Sequence, residues 1–428
     1  MKTIFKFACI LGFLSLWASP VKSQETDTVK DNNQNRILFM VYDESEDKIV
    51  QVEDITRQVR FHDPRAPRFV LTDSKGTFSL GIGATVRTSL NYDFGGIVDN
   101  KDFYPSQISR PGAGNYSRNQ FQLDATGSSI YIKLVGKTTR YGDVLVYVNG
   151  YFRGSGNTMK LHHAYVSFLG FTAGYDYGTF TDAAAAPATV DFEGPAGSVL
   201  YRTTQLRYAR SINKWSFGVG IEVPEVNATT TDDFSVNTQR APDFPAYVQY
   251  NWGGNCHLRL AGILRTMTYS SNINQKAYTE AGWGVQASTT FNPIKKLKVL
   301  GQVTYGKGIA HFFNDLGGLN IDLVPNPENN GKMQILPMVG WYTGLQYNFT
   351  SKIFASGTYS QARVHTENNY PVAGSDAYKY GQYLALNTFW KVSPTLQLGA
   401  EYLRGWKTDF NNETIKANRA SLLVQYSF

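Results

Sequence analysis

Cysteine is almost absent: the 428-residue chain has two. A disulfide framework and a cysteine-rich zinc module are therefore excluded. Charge is also scarce, at 18% of residues, against about 25% in an ordinary soluble domain. Long apolar runs are missing beyond the first 23 residues; the best is a short one over 37–42. No transmembrane helix can form from so little, but β-strands of a closed barrel cross a bilayer without such runs. Catalytic signatures are missing too. There is no G-x-S-x-G, no H-E-x-x-H and no P-loop, so no enzyme is expected. The basic residues are scattered, which gives nucleic-acid binding no support. His162 and His163 are neighbours in a predicted strand, which places them on opposite faces and argues against joint chelation. No metal or cofactor is expected.

What the chain does have is aromatics, 14% of residues, and 39 glycines. That excess, with few charges, excludes disorder. Residues 1–23 carry Lys2 and Lys6, then an apolar run from Phe7 to about Trp17, then a polar end. This is the pattern of a secretory signal peptide, cut after Ser23 or alternatively after Ala18. Without Lys2, Lys6 and Lys22, 38 basic residues face 34 acidic ones, a net charge of +4. Cys9 leaves with the signal, so Cys256 is the lone mature thiol. Residues 24–75 hold 11 acidic and 8 basic residues without a heptad pattern, and are read as an N-terminal periplasmic extension with short strands at 37–41 and 49–52.

From Thr77 the apolar period becomes two. Phe78, Leu80, Ile82, Ala84, Val86 and Leu90 alternate with Ser79, Gly81, Gly83, Thr85, Arg87 and Ser89; Trp215, Phe217, Val219, Ile221 and Val223 repeat the pattern. Sixteen such segments are expected. Short connections such as Asn213-Lys214 and Ser393-Pro394 mostly alternate with long ones such as 92–118, 181–202 and 309–338. The fold class is thus all-β: a transmembrane antiparallel β-barrel of about 16 strands over residues 76–428, with both termini periplasmic. Trp252, Trp341, Tyr347, Trp390 and Trp406 suit aromatic girdles. The chain closes on Leu422, Val424, Tyr426 and Phe428 along one face.

If the apolar face meets lipid, the other side chains line a lumen. The inward basic set is Arg87, Lys133, Arg153, Arg207, Arg259, Arg265, Lys298 and Arg419; the inward acidic set is Asp124, Asp176, Glu222 and Glu401. Eight against four implies a basic channel that concentrates anions, with arginines suited to carboxylates. The competing reading is that these arginines pair with the acids and brace the wall. The third long loop, 181–202, has four successive alanines and two prolines. Its composition suits confined packing, so it is expected to fold inward and narrow the pore, with Asp182, Asp191 and Glu193 facing the basic wall.

The same region carries His163-Ala164-Tyr165, Ala173-Gly174-Tyr175, Thr179-Phe180, Asp191-Phe192-Glu193-Gly194-Pro195 and Gln205-Leu206-Arg207-Tyr208. In these motifs the chain resembles the DcaP-like outer-membrane porins. The resemblance implies a homotrimer in a bacterial outer membrane, surrounded by lipid and lipopolysaccharide, that passes small, often anionic, organic solutes. The expected function is passive diffusion; the alternative is a non-conducting structural or adhesion barrel whose lumen is plugged by loops.

Overall fold

Alternation with a period of two makes each strand two-faced, and a sheet with one apolar face lowers its energy by closing on itself in lipid. In the computed structural model, which describes residues 38–41, 60–63, 69–73, 77–110, 118–138, 142–253 and 256–428, this closure is complete. The predicted signal segment and the predicted strand at 49–52 lie outside the described residues. The barrel strands are β1 (Phe78–Phe94), β2 in two halves (Asn119–Asp124 and Ser129–Thr138), β3 (Gly142–Tyr151), β4 (Lys160–Phe168), β5 (Phe171–Tyr177), β6 (Arg202–Ile212), β7 (Trp215–Glu222) and β8 (Phe244–Trp252). They continue as β9 (Cys256–Ser271), β10 (Lys276–Ile294), β11 (Leu297–Lys307), β12 (Pro337–Asn348), β13 (Ile353–Val364), β14 (Tyr378–Lys391), β15 (Leu396–Asp409) and β16 (Thr414–Ser427). Each pairs antiparallel with its neighbours, and β16 returns to β1 from Asn418↔Phe94 to Ser427↔Thr85. The expected sixteen-stranded antiparallel barrel is what the chain forms.

The outer face carries the apolar residues. Ile82, Val86 and Leu90 are exposed on β1, Phe217, Val219 and Ile221 on β7, and Leu422, Val424 and Tyr426 on β16. At the short-turn end aromatic rings gather: Trp215 packs on Tyr250 at 4.9 Å, Tyr347 on Phe349 at 5.1 Å, and Phe171 on Tyr208 at 4.8 Å. Rings with an apolar body and a polar edge suit a bilayer interface. Leu260 of β9 is 53% exposed, between Val248 and Ala287 on the adjacent strands. Leu260→Arg is expected to destabilise the barrel by about 2–4 kcal/mol, the cost of a guanidinium near the bilayer midplane. Urea unfolding in lipid vesicles measures it, and a change below about 1 kcal/mol would argue against a lipid-facing position there.

Three features depart from the plain alternation. First, β2 is interrupted at 125–128. The interruption shifts phase, so Phe121 and Leu123 face out before it and Ile130 and Ile132 after it, which keeps both Asp124 and Lys133 inside. Gly127 makes room for Arg87 there: a Cβ would stand 2.8 Å from Arg87 Cδ and displace that side chain. β13, by contrast, is continuous over Ile353–Val364. Second, β9 and β10 run on to Ser271 and back from Lys276, well past the length a bilayer requires. Thr, Tyr and Ser side chains sustain the ladder past the lipid band, and a short strand, Phe234–Val236, pairs onto its end. Third, Leu38–Val41 pairs with Phe69–Thr72, which pairs with Ser79–Ile82 of β1 where β16 has ended.

The inner wall is not uniformly polar. Toward the loop end Ile263, Met338, Val364, Tyr383 and Leu403 point inward and are buried. They pack against loop residues Val98, Phe103, Ile108, Phe180, Val199, Ile309, Phe312, Phe313 and Leu316 in one apolar cluster. Segments 95–110, 178–201 and 308–336 therefore sit against the inside of the sheet, and burying these side chains anchors them there.

Candidate functional site

The polar part of the lumen is organised around segment 178–201. Glu401 on β15 accepts hydrogen bonds from the Val190 and Asp191 amides at 2.8 and 2.7 Å. Asn387 donates to the Ala188 carbonyl at 2.9 Å, Ser360 accepts from the Gly197 amide at 2.8 Å, and Gln302 accepts from the Val199 amide at 3.1 Å. Irregular backbone inside a barrel must satisfy its donors and acceptors locally, and inward polar side chains of β11, β13, β14 and β15 do so. The four-alanine run fits because small side chains let the backbone approach the wall: Ala183 and Ala185 are buried, and Thr290 donates to the Ala184 carbonyl at 3.3 Å.

The predicted basic residues are inward, and most are engaged. Arg419, 1% exposed, grips Asp93 with two hydrogen bonds of 2.6 and 3.1 Å. Arg265 lies near Asp243 and Asp322 at 3.6 and 3.7 Å. Arg153, just beyond β3, pairs with Asp102 at 2.5 Å and Asp124 at 3.2 Å. Arg207 pairs with Asp176 at 3.0 Å. Arg87 donates to Gln425 and to the Val190 carbonyl, and Arg259 donates to the Thr179 carbonyl at 2.6 Å while stacking 3.6 Å above Tyr247. Lys133 lies 5.1 Å from the Tyr147 ring, and Lys298 sits half-buried near the turn end of β11. Glu222 accepts from the Thr179 amide and the Tyr201 hydroxyl, both at 2.5 Å.

The loop acids do not simply confront a wall of arginines. Asp182 accepts from His257 at 2.7 Å and Ser288 at 2.6 Å. Asp191 accepts from the Phe103 and Gly194 amides and the Tyr383 hydroxyl. Glu193 offers its carbonyl, not its carboxylate, to Arg60 at 2.8 Å. Arginines reach this loop through its backbone carbonyls, and at Glu193 the carbonyl is shared with the Asn314 side-chain amide at 3.0 Å. Burial would raise Asp182, but the His257 hydrogen bond and the Arg259 charge bring it down to about 2. Burial, with Asp102 nearby, pushes Asp191 and Glu193 above the usual carboxylate range.

Two groups outside the predicted set matter. Arg202 lies 4.3 Å above Tyr177 and donates to its hydroxyl at 2.8 Å. Residues Arg60–Asp63 of the N-terminal extension are inside the lumen. Arg60 donates to the Phe192 and Glu193 carbonyls at 2.7 and 2.8 Å, and Phe61 packs on Phe389 at 4.7 Å. Tyr151 donates to the His62 carbonyl at 2.9 Å, and Tyr177 to Asp63 at 2.8 Å. No periodicity marks these four residues; only the Arg-aromatic-His-acid sequence sets them apart. Arg60, Arg87 and Arg153 surround the Phe192 ring at 5.8, 5.7 and 4.1 Å. A small cavity of about 10 Å³, room for about one water-sized sphere, opens beside it, lined by Arg87, Lys101, Arg153 and Arg419 opposite Asp102 and Asp191.

One expectation is overturned. The β3–β4 ladder steps from Asn149↔His163 to Gly150↔Leu161, which leaves His162 as a bulged residue without a partner. A bulge re-aims the extra side chain. The His162 ring therefore lies 4.8 Å from that of His163 and 4.3 Å from Tyr151, so both imidazoles point into the lumen.

A closed barrel with an apolar exterior and loops folded against a polar interior defines an outer-membrane porin. The model of the DcaP outer membrane protein family matches residues 77–318, and the chain belongs to that family. No curated protein matches it. Among solved structures it is similar to the outer membrane channel DcaP of Acinetobacter baumannii, at 20% identity and a TM-score of 0.71 over 83% of this chain and 99% of that one. It also resembles an anion-selective porin from Comamonas acidovorans, at 11% identity and a TM-score of 0.54 over 82% and 100%. The trimer form of OmpT from Vibrio cholerae matches at 12% identity and 0.53 over 82% and 100%. At such identities these likenesses bear on the fold.

Proposed function

We propose that the mature chain, from residue 24, is a passive porin of a bacterial outer membrane that carries small hydrophilic solutes and favours anionic organic ones such as carboxylates. The observation that carries this reading is the crowding of guanidinium groups around one constriction: Arg60, Arg87 and Arg153 about Phe192, with Arg202, Arg207 and Arg259 beside segment 178–201. In a narrow channel with low-dielectric walls such a group raises the local anion concentration. The selectivity stated for the Comamonas porin supports the sign, and the trimer form of OmpT supports a homotrimer. Sixteen strands return both barrel ends to one side, which we read as periplasmic. No catalytic role is assigned to the lumen carboxylates. A second reading, a non-conducting barrel, is favoured by the apolar packing of loops inside it.

Single-channel recording of the refolded mature protein under a salt gradient decides between them. Stepwise currents with an anion-selective reversal potential are expected; silence from a verified folded barrel would favour the plugged reading. The selectivity should also depend on pH. Asp191 and Glu193, raised by burial, take up protons as pH falls through the interval above the usual carboxylate range, while Asp182 stays ionised. The lumen gains positive charge, so anion preference should strengthen over that interval. The sign for loop stability follows. The contribution of Asp191 and Glu193 is present at low pH and lost as pH rises through their raised values. That of Asp182 is present above the ordinary carboxylate range and lost as pH falls through about 2.

A further inference from the structure

Three side chains from two distant parts of the chain meet between the N-terminal segment and β4. Asp63, His162 and His163 place potential ligand atoms within 4.8 Å of one another. A tetrahedral site with bonds of about 2.1 Å has edges of roughly 3.4 Å, so small side-chain rotations close the set. The bulge at His162 makes this convergence possible, because an unbroken strand would turn one imidazole toward lipid.

The imidazoles have unfilled coordination. His163 is 3% exposed, and its Nδ1 lies 3.0 Å from Asp176 Oδ1. Asp176 also accepts from Arg207 at 3.0 Å, which suits an ionised carboxylate. Nδ1 is then the donor, and in the neutral ring, the form that binds a metal, Nε2 offers its lone pair. That Nε2 is buried without a hydrogen-bond partner, as are both ring nitrogens of His162. Buried nitrogens without partners are uncommon and costly, and three of them in adjoining rings point to a bound group. A carboxylate orienting a histidine whose other nitrogen is free is the outer-shell arrangement of metal ligands. Asp63 is itself held, by the Arg60 amide at 2.9 Å and the Tyr177 hydroxyl at 2.8 Å.

We propose that Asp63, His162 and His163 form a divalent transition-metal site in the lumen, and that the ion clasps the N-terminal segment to the barrel wall. Two imidazoles and one carboxylate suit zinc, cobalt or nickel and disfavour calcium and magnesium. Three protein ligands leave a coordination position for solvent. Because Asp63 lies between Phe61, packed on Phe389, and the barrel proper, metal occupancy fixes a segment that narrows the passage.

The test uses the refolded full-length mature protein, stripped with chelator and titrated with Co²⁺. One equivalent per chain is expected, with the intense visible bands of low-coordinate cobalt. His162→Gln and His163→Gln should each weaken binding by about 100-fold, and Asp176→Asn by about 10–100-fold through loss of orientation. Heat-modified gel migration verifies that each barrel is folded. His162→Gln, at the bulge, is the variant least tied to the wall. Absence of binding, or pale octahedral cobalt unaffected by the substitutions, would overturn the site. Asp63→Asn tests the clasp: it should weaken binding about tenfold or more and abolish a Zn²⁺-dependent fall in conductance. Unchanged affinity in Asp63→Asn would overturn the clasp. The spectroscopic measurements do not require the barrel to conduct, so they stand apart from the porin reading.

Discussion

Deleting residues 24–68 is expected to raise single-channel conductance roughly threefold, because current scales with the narrowest open cross-section. The segment Arg60–Asp63 occupies the space between loop 178–201 and the inner wall. Arg60 holds two loop carbonyls and Phe61 fills an apolar niche formed with Phe354 and Phe389. The point variant Arg60→Ala with Phe61→Ala should reproduce much of the gain while keeping the rest of the extension. Recordings in chelator separate this effect from metal occupancy. Equal conductance in deletion, double variant and wild type would mean that the ions take another route past the loop.

The second large effect concerns selectivity. Arg207→Gln with Arg259→Gln should lower the anion-to-cation permeability ratio by about tenfold. Two unit charges removed at about 10 Å from a passing ion, in a medium near water's dielectric constant, cost an anion about 0.8 kcal/mol and favour a cation by as much, together slightly more than the 1.4 kcal/mol of a tenfold change. Both side chains remain partly reachable, Arg207 at 22% side-chain exposure, unlike the sealed Arg419. The paired lysine variant keeps the charges and should keep the ratio. A reversal potential unmoved by the glutamine pair would assign these arginines to bracing the wall.

The barrel was legible because its signal is local. Ile82, Val86 and Leu90 declare a lipid face through spacing alone, and Phe428 hydrogen-bonds through its backbone with Ala84, joining the chain end to β1. The interior was legible only in sign. Parity places Arg87 or Arg419 inside, but whether each meets an acid, a carbonyl or an aromatic ring depends on loops hundreds of residues away. Asp93 pairs with Arg419 across 326 positions. His162 escaped for another reason: one bulged residue reverses the parity on which its placement rested. The apolar shelf of Ile263, Val364 and Leu403 was hidden because alternation cannot distinguish a wall facing water from one facing a packed loop.

The long β9–β10 hairpin shapes the entrance itself. Nineteen residues in β10, at about 3.4 Å each and tilted near 45°, reach roughly 45 Å along the membrane normal. The apolar band takes about 25 Å of that. Much of the remainder rises on one side of the mouth as a stiff parapet, reinforced by Phe234–Val236. Diffusing molecules thus meet a vestibule walled on the β9–β10 flank by hydrogen-bonded sheet.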